Sequence, residues 1–255
     1  MSAIVTASAY RKLISCWPGQ QEINFRFADA LTMADNHVIY KNGAKELAHL
    51  NGCSITFMAK PDHTWIGNSC HIHASLWLGA DSAFAGESDV FKQFLAGQIA
   101  CFRELALFLA PNVNSYKRYA AGSWAPTTLA WGHDNRTCGF RIVGHGNGLR
   151  AETRIPGGDV NPYLAFAAVL AAGLHGVENE LELPPPLEGN AYESDAERFP
   201  HSLRDAIDAL ENGTVARAAF GDDVVDHYLN YARTEQRLFD HVVTGYERER
   251  LFERG

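Results

Sequence analysis

The stretch from Asn135 to Pro162 reads NRTCGFRIVGHGNGLRAETRIPGGDVNP and decides the fold. A first β-like run ending FRIV is followed by a glycine-bearing, hairpin-like turn and a second run, LRAET. Arg136, Arg141, Arg154 and one carboxylate, Glu152, sit in and around these runs. Alternate side chains of an extended strand share a face, so Glu152 and Arg154 point the same way and Arg150 joins them. A fixed acid among fixed cations suits a metal-bound, multiply charged ligand such as a nucleoside triphosphate. A salt-bridge ladder on a solvated sheet is the alternative. Four alternating charges beside a helix start at Asn161-Pro162 favour a site.

Composition narrows the class. The chain has 255 residues, 46% of them apolar and 20% charged, enough for one large or two small domains with an ample core. A net charge of -8 leaves no basic stripe for nucleic acid, although a local basic pocket is allowed. The five cysteines are scattered without a CxxC pair and read as reduced cytosolic thiols, which implies a cytoplasmic protein. No apolar run approaches the ~20 residues that cross a bilayer, and Met1 to Ser15 has no apolar core of a signal peptide, so no membrane partner is expected.

Outward from the opening stretch, CHIHASLWL at 70–78 alternates, with His71, His73 and Ser75 on one face and Cys70, Ile72, Ala74 and Leu76 on the other. Residues 22–28 and 54–59 also read as strands. Helices are expected over 29–50 (closed by Asn51-Gly52), 88–109, 162–176 (closed by Gly176), 202–210 and 222–252, with a Pro/Gly/acid-rich connector over 181–199. Mixed elements without strict β-α-β alternation predict an α+β fold, a curved antiparallel sheet whose polar face lines a ligand cavity.

Taken in order, the motifs PGQQEINF (18–25), TFMAKP (56–61), HIHASL (71–76), NSYKR (114–118), NRT (135–137) with Arg141, AETR (151–154) and NPYLAFAA (161–168) resemble the catalytic domain of glutamine synthetase. The resemblance implies a half-barrel sheet flanked by helices over 18–255, in a homo-oligomeric ring. It implies ATP and Mg2+ (or Mn2+) as cofactors, and glutamate and an amine as substrates joined through a γ-glutamyl phosphate. Carried over by position, Glu22 matches a ligand of one metal, and His71 and Glu152 match ligands of the second. His73 and Ser75 match nucleotide contacts, and Arg141 a phosphate contact. Gly67, Arg118 and Arg154 match the glutamate site. Arg136 matches the cation bridging ATP and glutamate, which with Glu152 forms the catalytic pair.

Departures refine the expectation. The family's smaller β-rich domain and its Glu-x-Glu metal ligands have no counterpart here, and residues 1–17 read as a poorly patterned remnant. Ser15 or Ile14 stands where another metal-binding glutamate is expected, which predicts low occupancy of the first metal site. Where glutamine synthetases carry PGxEAP, this chain has AGSWAP, with Trp124 in place of the acid that binds ammonium. An indole takes no proton but can face a cation or an alkyl chain, so the expected acceptor is organic, as in the γ-glutamyl-polyamine and γ-glutamyl-amide branch. The loop IGNSCH keeps Gly67 but carries Ser69 where the family has glycine. The alternative reading is a non-catalytic fragment that only binds or assembles. A phosphagen-kinase-like enzyme is disfavoured by the metal-ligand pattern of His71, His73 and Glu152.

Overall fold

A computed structural model describes residues 2–6, 13–14 and 19–254, the first two stretches as backbone strands. In chain order the first elements are β1 (Ser2–Thr6), β2 (Leu13–Ile14), β3 (Gln21–Glu22), β4 (Ala28–Asp29) and α1 (Ala30–Leu50). Then come β5 (Ile72–Leu78), β6 (Asp81–Ser82), α2 (Asp89–Cys101), α3 (Ala106–Leu109) and α4 (Val113–Tyr116). Strands β7 (Trp131–His133), β8 (Phe140–Val143) and β9 (Arg150–Thr153) lead into α5 (Pro162–Glu178). Helices α6 (Leu203–Glu211), α7 (Val215–Phe220), α8 (Asp222–Asp240) and α9 (Gly245–Leu251) close the chain.

The main sheet is open, in the order β4-β1-β5-β9-β8-β7, with β6 folded back on the end of β5. Its pairings are antiparallel except one: β7 and β8 run parallel, correcting an all-antiparallel expectation. The register sets Glu152 of β9 opposite His73 of β5 on one side and Arg141 of β8 on the other. It equally aligns Ala151 with Ala74 and Ile142. One face is therefore charged, and the other is buried against helices α2 and α5.

Phenylalanines dominate that core, with Phe84 packed against Phe91 and Phe94, and Phe102 against Phe140. The buried Thr153 donates to Gln98 Oε1 on α2 at 2.8 Å, tying the sheet to the helix layer one residue from Glu152. Helices α2 and α5 touch through Gly97 and Gly176. Gly176 therefore serves packing, and the helix runs past it to Glu178, beyond the end expected from sequence. Asn161 caps that helix by accepting from Tyr163 N at 3.0 Å, with Pro162 in its first turn.

Other sequence readings shift. The run 22–28 is no single strand: β3 pairs with β2 while β4 pairs with β1, so two pairings divide it and leave Ile23 and Phe27 exposed. Residues 54–59 form no strand; Asn68 binds the carbonyls of Met58 and Ala59, and Lys60 N donates to Asn114 Oδ1, so these backbone groups find loop partners. Helix 88–109 breaks between α2 and α3, and 222–252 breaks at 241–244, where Thr244 and Glu247 form a capping box for α9. Residues 113–116 form the short helical turn α4. The rest of the 1–17 stretch, Ser15 included, lies outside the described residues.

Helix α1, capped by Asp29, turns Met33, Ala34 and His37 inward while Leu31 faces out. Burial and the nearby Lys41 charge push the His37 pKa down to about 4. The folded state thus binds fewer protons than the unfolded chain between pH 6.5 and 4, and stability present above 6.5 is lost as pH falls through that window. His37→Phe, which keeps a ring against Phe25, should remove about 2 kcal/mol of the stability loss between pH 7 and pH 5. Urea unfolding at the two pH values checks this; equal acid sensitivity in both proteins would refute it.

Candidate active site

Glu152 is the hub of the charged face, only 2% exposed. Arg141 Nη1 reaches its Oε2 at 2.8 Å, Arg154 Nη1 its Oε1 at 2.8 Å, and His71 Nδ1 its Oε1 at 3.2 Å. Burial alone would raise the Glu152 pKa, yet the His71 hydrogen bond and the surrounding cations hold it well below the usual carboxylate range. Burial likewise pushes His71 down, outweighing the pull of Glu152. A neutral His71 that donates Nδ1–H to Glu152 keeps the lone pair on Nε2. His73 is lowered to about 4, chiefly by burial, and its Nδ1 accepts from Arg150 Nε at 3.2 Å. Ser75 Oγ accepts from Trp77 Nε1 at 2.9 Å.

Arg141 also grips Asp134, its Nε lying 2.8 Å from Oδ1. The salt-bridge ladder weighed as the alternative reading is present, with Glu152 and Arg154 buried and Asp134 exposed at its end. Asp134 was not singled out from sequence; a positive φ of 49° bends the chain there so that it can meet Arg141, a turn that an Asp-Asn pair after a strand could have signalled.

A second cluster gathers Gly67, Arg118 and Arg154. Arg118 is 2% exposed and donates through Nη2 to the carbonyls of Ile155 and Arg154, with its guanidinium 4.8 Å over the Tyr119 ring. A Cβ on Gly67 would lie 2.5 Å from Ala59 O and 2.5 Å from Arg118 Cγ, so only glycine lets this loop reach the arginine. Arg154 Nη2 donates to Trp124 O at 3.2 Å. The buried Nε atoms of Arg118 and Arg154 have no hydrogen-bond partner among the described residues.

Trp124 stands 55% exposed, in the left-handed region at φ 62°. With Asp134, Arg136, Leu187 and Glu188 it lines a cavity of about 640 Å³. Arg136 forms no ion pair among the described residues.

Among the described residues no three His, Cys, Asp or Glu side chains gather as a metal site. Glu22, exposed on β3, is therefore not joined to the His71–Glu152 pair in such a cluster. The pair alone is an ionised carboxylate beside a neutral imidazole. This donor set fits Mg2+ or Mn2+, since Mg2+ commonly takes one or two protein ligands and completes its shell with water and phosphate oxygens.

Comparison with known proteins bears on this geometry. The family model "Glutamine synthetase, catalytic domain" matches residues 8–251. Gamma-glutamylethanolamide synthetase GlnA4 of Streptomyces coelicolor is 57% identical over 244 residues, covering 94% of this chain and 52% of that protein. Glutamate--isopropylamine ligase of a Pseudomonas species is 41% identical over 247 residues, covering 92% and 54%. The solved GmaS/ADP complex superposes with a TM-score of 0.86 at 36% identity, covering 92% and 57%. The chain thus spans about half the length of the curated relatives it matches.

Proposed function

The chain belongs to the glutamine synthetase catalytic-domain family, and on that premise we propose that it joins the γ-carboxylate of glutamate to a small organic amine at the expense of ATP. The observation that carries the reading is Trp124, an exposed indole on a cavity wall beside Arg136, where an ammonium-binding acid is expected. The names of the two curated relatives, an ethanolamide synthetase and an isopropylamine ligase, support an organic acceptor.

In this reading Arg154 holds the glutamate carboxylate, and Arg118, beside the loop at Gly67, braces the backbone carbonyls of Arg154 and Ile155. His73 and Ser75 face the nucleotide. Arg141 and Arg136 meet the phosphates, with Arg136 stabilising charge as the γ-phosphoryl passes to the glutamate γ-carboxylate. The amine, having lost one proton to water to become the neutral nucleophile, attacks the acyl carbon through its nitrogen, the carbon–oxygen bond to phosphate breaks with its electron pair leaving on phosphate, and the nitrogen gives a second proton to solvent and keeps one as the amide N–H. Glu152 and His71 would hold one divalent metal, and Glu22 would contribute to another. Bound there, the metal supplies charge neutralisation for the phosphate oxygens. A cytoplasmic homo-oligomeric ring completes the proposal, and no helix among the described residues is long and apolar enough to cross a membrane.

The test is phosphate release from ATP with glutamate and magnesium, comparing ethanolamine, isopropylamine and putrescine with ammonium. Release that depends on an organic amine is expected. Release with ammonium alone would restore plain glutamine synthesis, and silence with every amine would favour a non-catalytic binding or assembly module.

A further inference from the structure

Two acidic residues, Asp134 and Glu188, line the cavity together with Arg136. Asp134 is consumed by Arg141. Glu188 is exposed and has neither ion pair nor hydrogen bond through its side chain among the described residues. A glutamate on a proline-rich surface connector ordinarily does nothing but face water. This one sits on a segment that is fastened at both sides. Asn135 Nδ2 donates to Leu187 O at 3.3 Å and to Gly189 O at 2.9 Å, bracketing it. Leu187 N donates to Trp131 O at 2.8 Å, Trp131 Nε1 to Pro184 O at 2.7 Å, and Ala191 N to Thr137 Oγ1 at 2.9 Å. The segment that carries Arg136 therefore also holds the backbone of Glu188 on the cavity wall.

Arg136 and Glu188 share the cavity without pairing to each other, so opposite charges remain available to different ligands. Arg136 suits an anion. Glu188 suits a cation, and the Trp124 indole offers the face on which a cation or a short alkyl chain can rest. A cavity of about 640 Å³ has room for a cationic head and a short tail.

We propose that Glu188 recognises the cationic head of the acceptor, a primary alkylammonium whose short tail lies on Trp124. The assignment rests on the ligase reading above and names the specificity group of that same site. Asn135 is its positioning residue, acting through the carbonyls of Leu187 and Gly189.

Two measurements on the purified protein decide it. In turnover assays with ethanolamine, Glu188→Gln should raise the KM for the amine roughly tenfold or more, the loss of one charged contact, with kcat within about threefold. The KM values for glutamate and ATP should stay unchanged, and Glu188→Asp should recover part of the effect. In equilibrium titrations with ethanolamine, the fluorescence contributed by Trp124, obtained by subtracting Trp124→Phe, should change saturably. Its midpoint should weaken roughly tenfold in Glu188→Gln. Wild-type silence in turnover alone would end the ligase reading, and the titration would still decide the amine site. The proposal is overturned if Glu188→Gln moves neither readout, if it raises the glutamate and ATP KM values alongside that of the amine, or if the wild type shows neither turnover nor saturable binding.

Discussion

Glu152→Ala should reduce ATP-dependent turnover by roughly 10³-fold, the scale on which a preorganised electrostatic group contributes to a charged transition state. It should also lower stability by about 3–5 kcal/mol, because removing the carboxylate leaves the buried Arg154 without its ion-pair partner. Both effects have one origin. The carboxylate lies between Arg141, Arg154 and His71 at 2.8, 2.8 and 3.2 Å, and without it Arg154 loses its ion-pair partner while Arg141 keeps only Asp134. Glu152→Gln separates the two consequences. The amide keeps the volume and one acceptor oxygen, so the fold should survive with a smaller stability loss while turnover falls nearly as far. The acid limb of stability should change as well. A carboxylate whose folded pKa lies below its ordinary 4.5 contributes stability that is complete above that value and fades as pH falls beneath it. Glu152→Gln has no such group and should lose less stability below pH 4.5. Urea unfolding and phosphate release measure these quantities, and unchanged turnover in a folded Glu152→Ala protein would remove Glu152 from the proposed chemistry.

The centre of this network was readable because strand alternation is a local code. His71, His73 and Ser75 were separated from Ile72, Ala74 and Leu76 by a period of two, and the sheet keeps that division since β5 has pairing partners on both sides. The same code misled at 22–28, where each end of the run pairs in a different sheet. It misled again at 54–59, whose backbone groups bond to Asn68 and Asn114 instead of a neighbouring strand. Gly176 carried an ambiguous signal: a glycine near the end of a helical run reads as a terminator, and only the position of α2 reveals it as a packing residue. What the chain pattern could not express was the cavity wall, because the bonds of Asn135 to Leu187 and Gly189 join residues more than fifty positions apart. Nor could it show that Arg118 is buried and donates to the backbone carbonyls of Arg154 and Ile155.

Gly97→Ala should destabilise the protein by about 3 kcal/mol or more, the upper part of the range for forcing extra volume into a packed core. By helix propensity alone the substitution would help, since alanine is favoured over glycine in a helix by roughly 0.5–1 kcal/mol. Contact distance decides the sign. A Cβ at Gly97 would lie 2.1 Å from Ala172 O and 2.7 Å from Gly176 N, and one at Gly176 would lie 2.0 Å from Gln93 O. These neighbours are backbone atoms of the opposite helix, which cannot rotate away as a side chain can, so α2 and α5 must separate. For a domain of this size the loss corresponds to a fall in Tm of roughly 6–12 °C. Gly176→Ala should behave alike, and the double substitution should cost less than the sum of the two because helices already parted by one methyl accommodate the second more cheaply. The charged face should feel the change too: Gln98, the next residue on α2, holds Thr153 at 2.8 Å, and Thr153 adjoins Glu152. A thermally weakened Gly97→Ala protein should therefore also turn over more slowly at a temperature where it is still folded. Thermal unfolding with parallel assays tests both parts, and an alanine tolerated with unchanged or raised Tm would show that the two helices do not meet at Gly97.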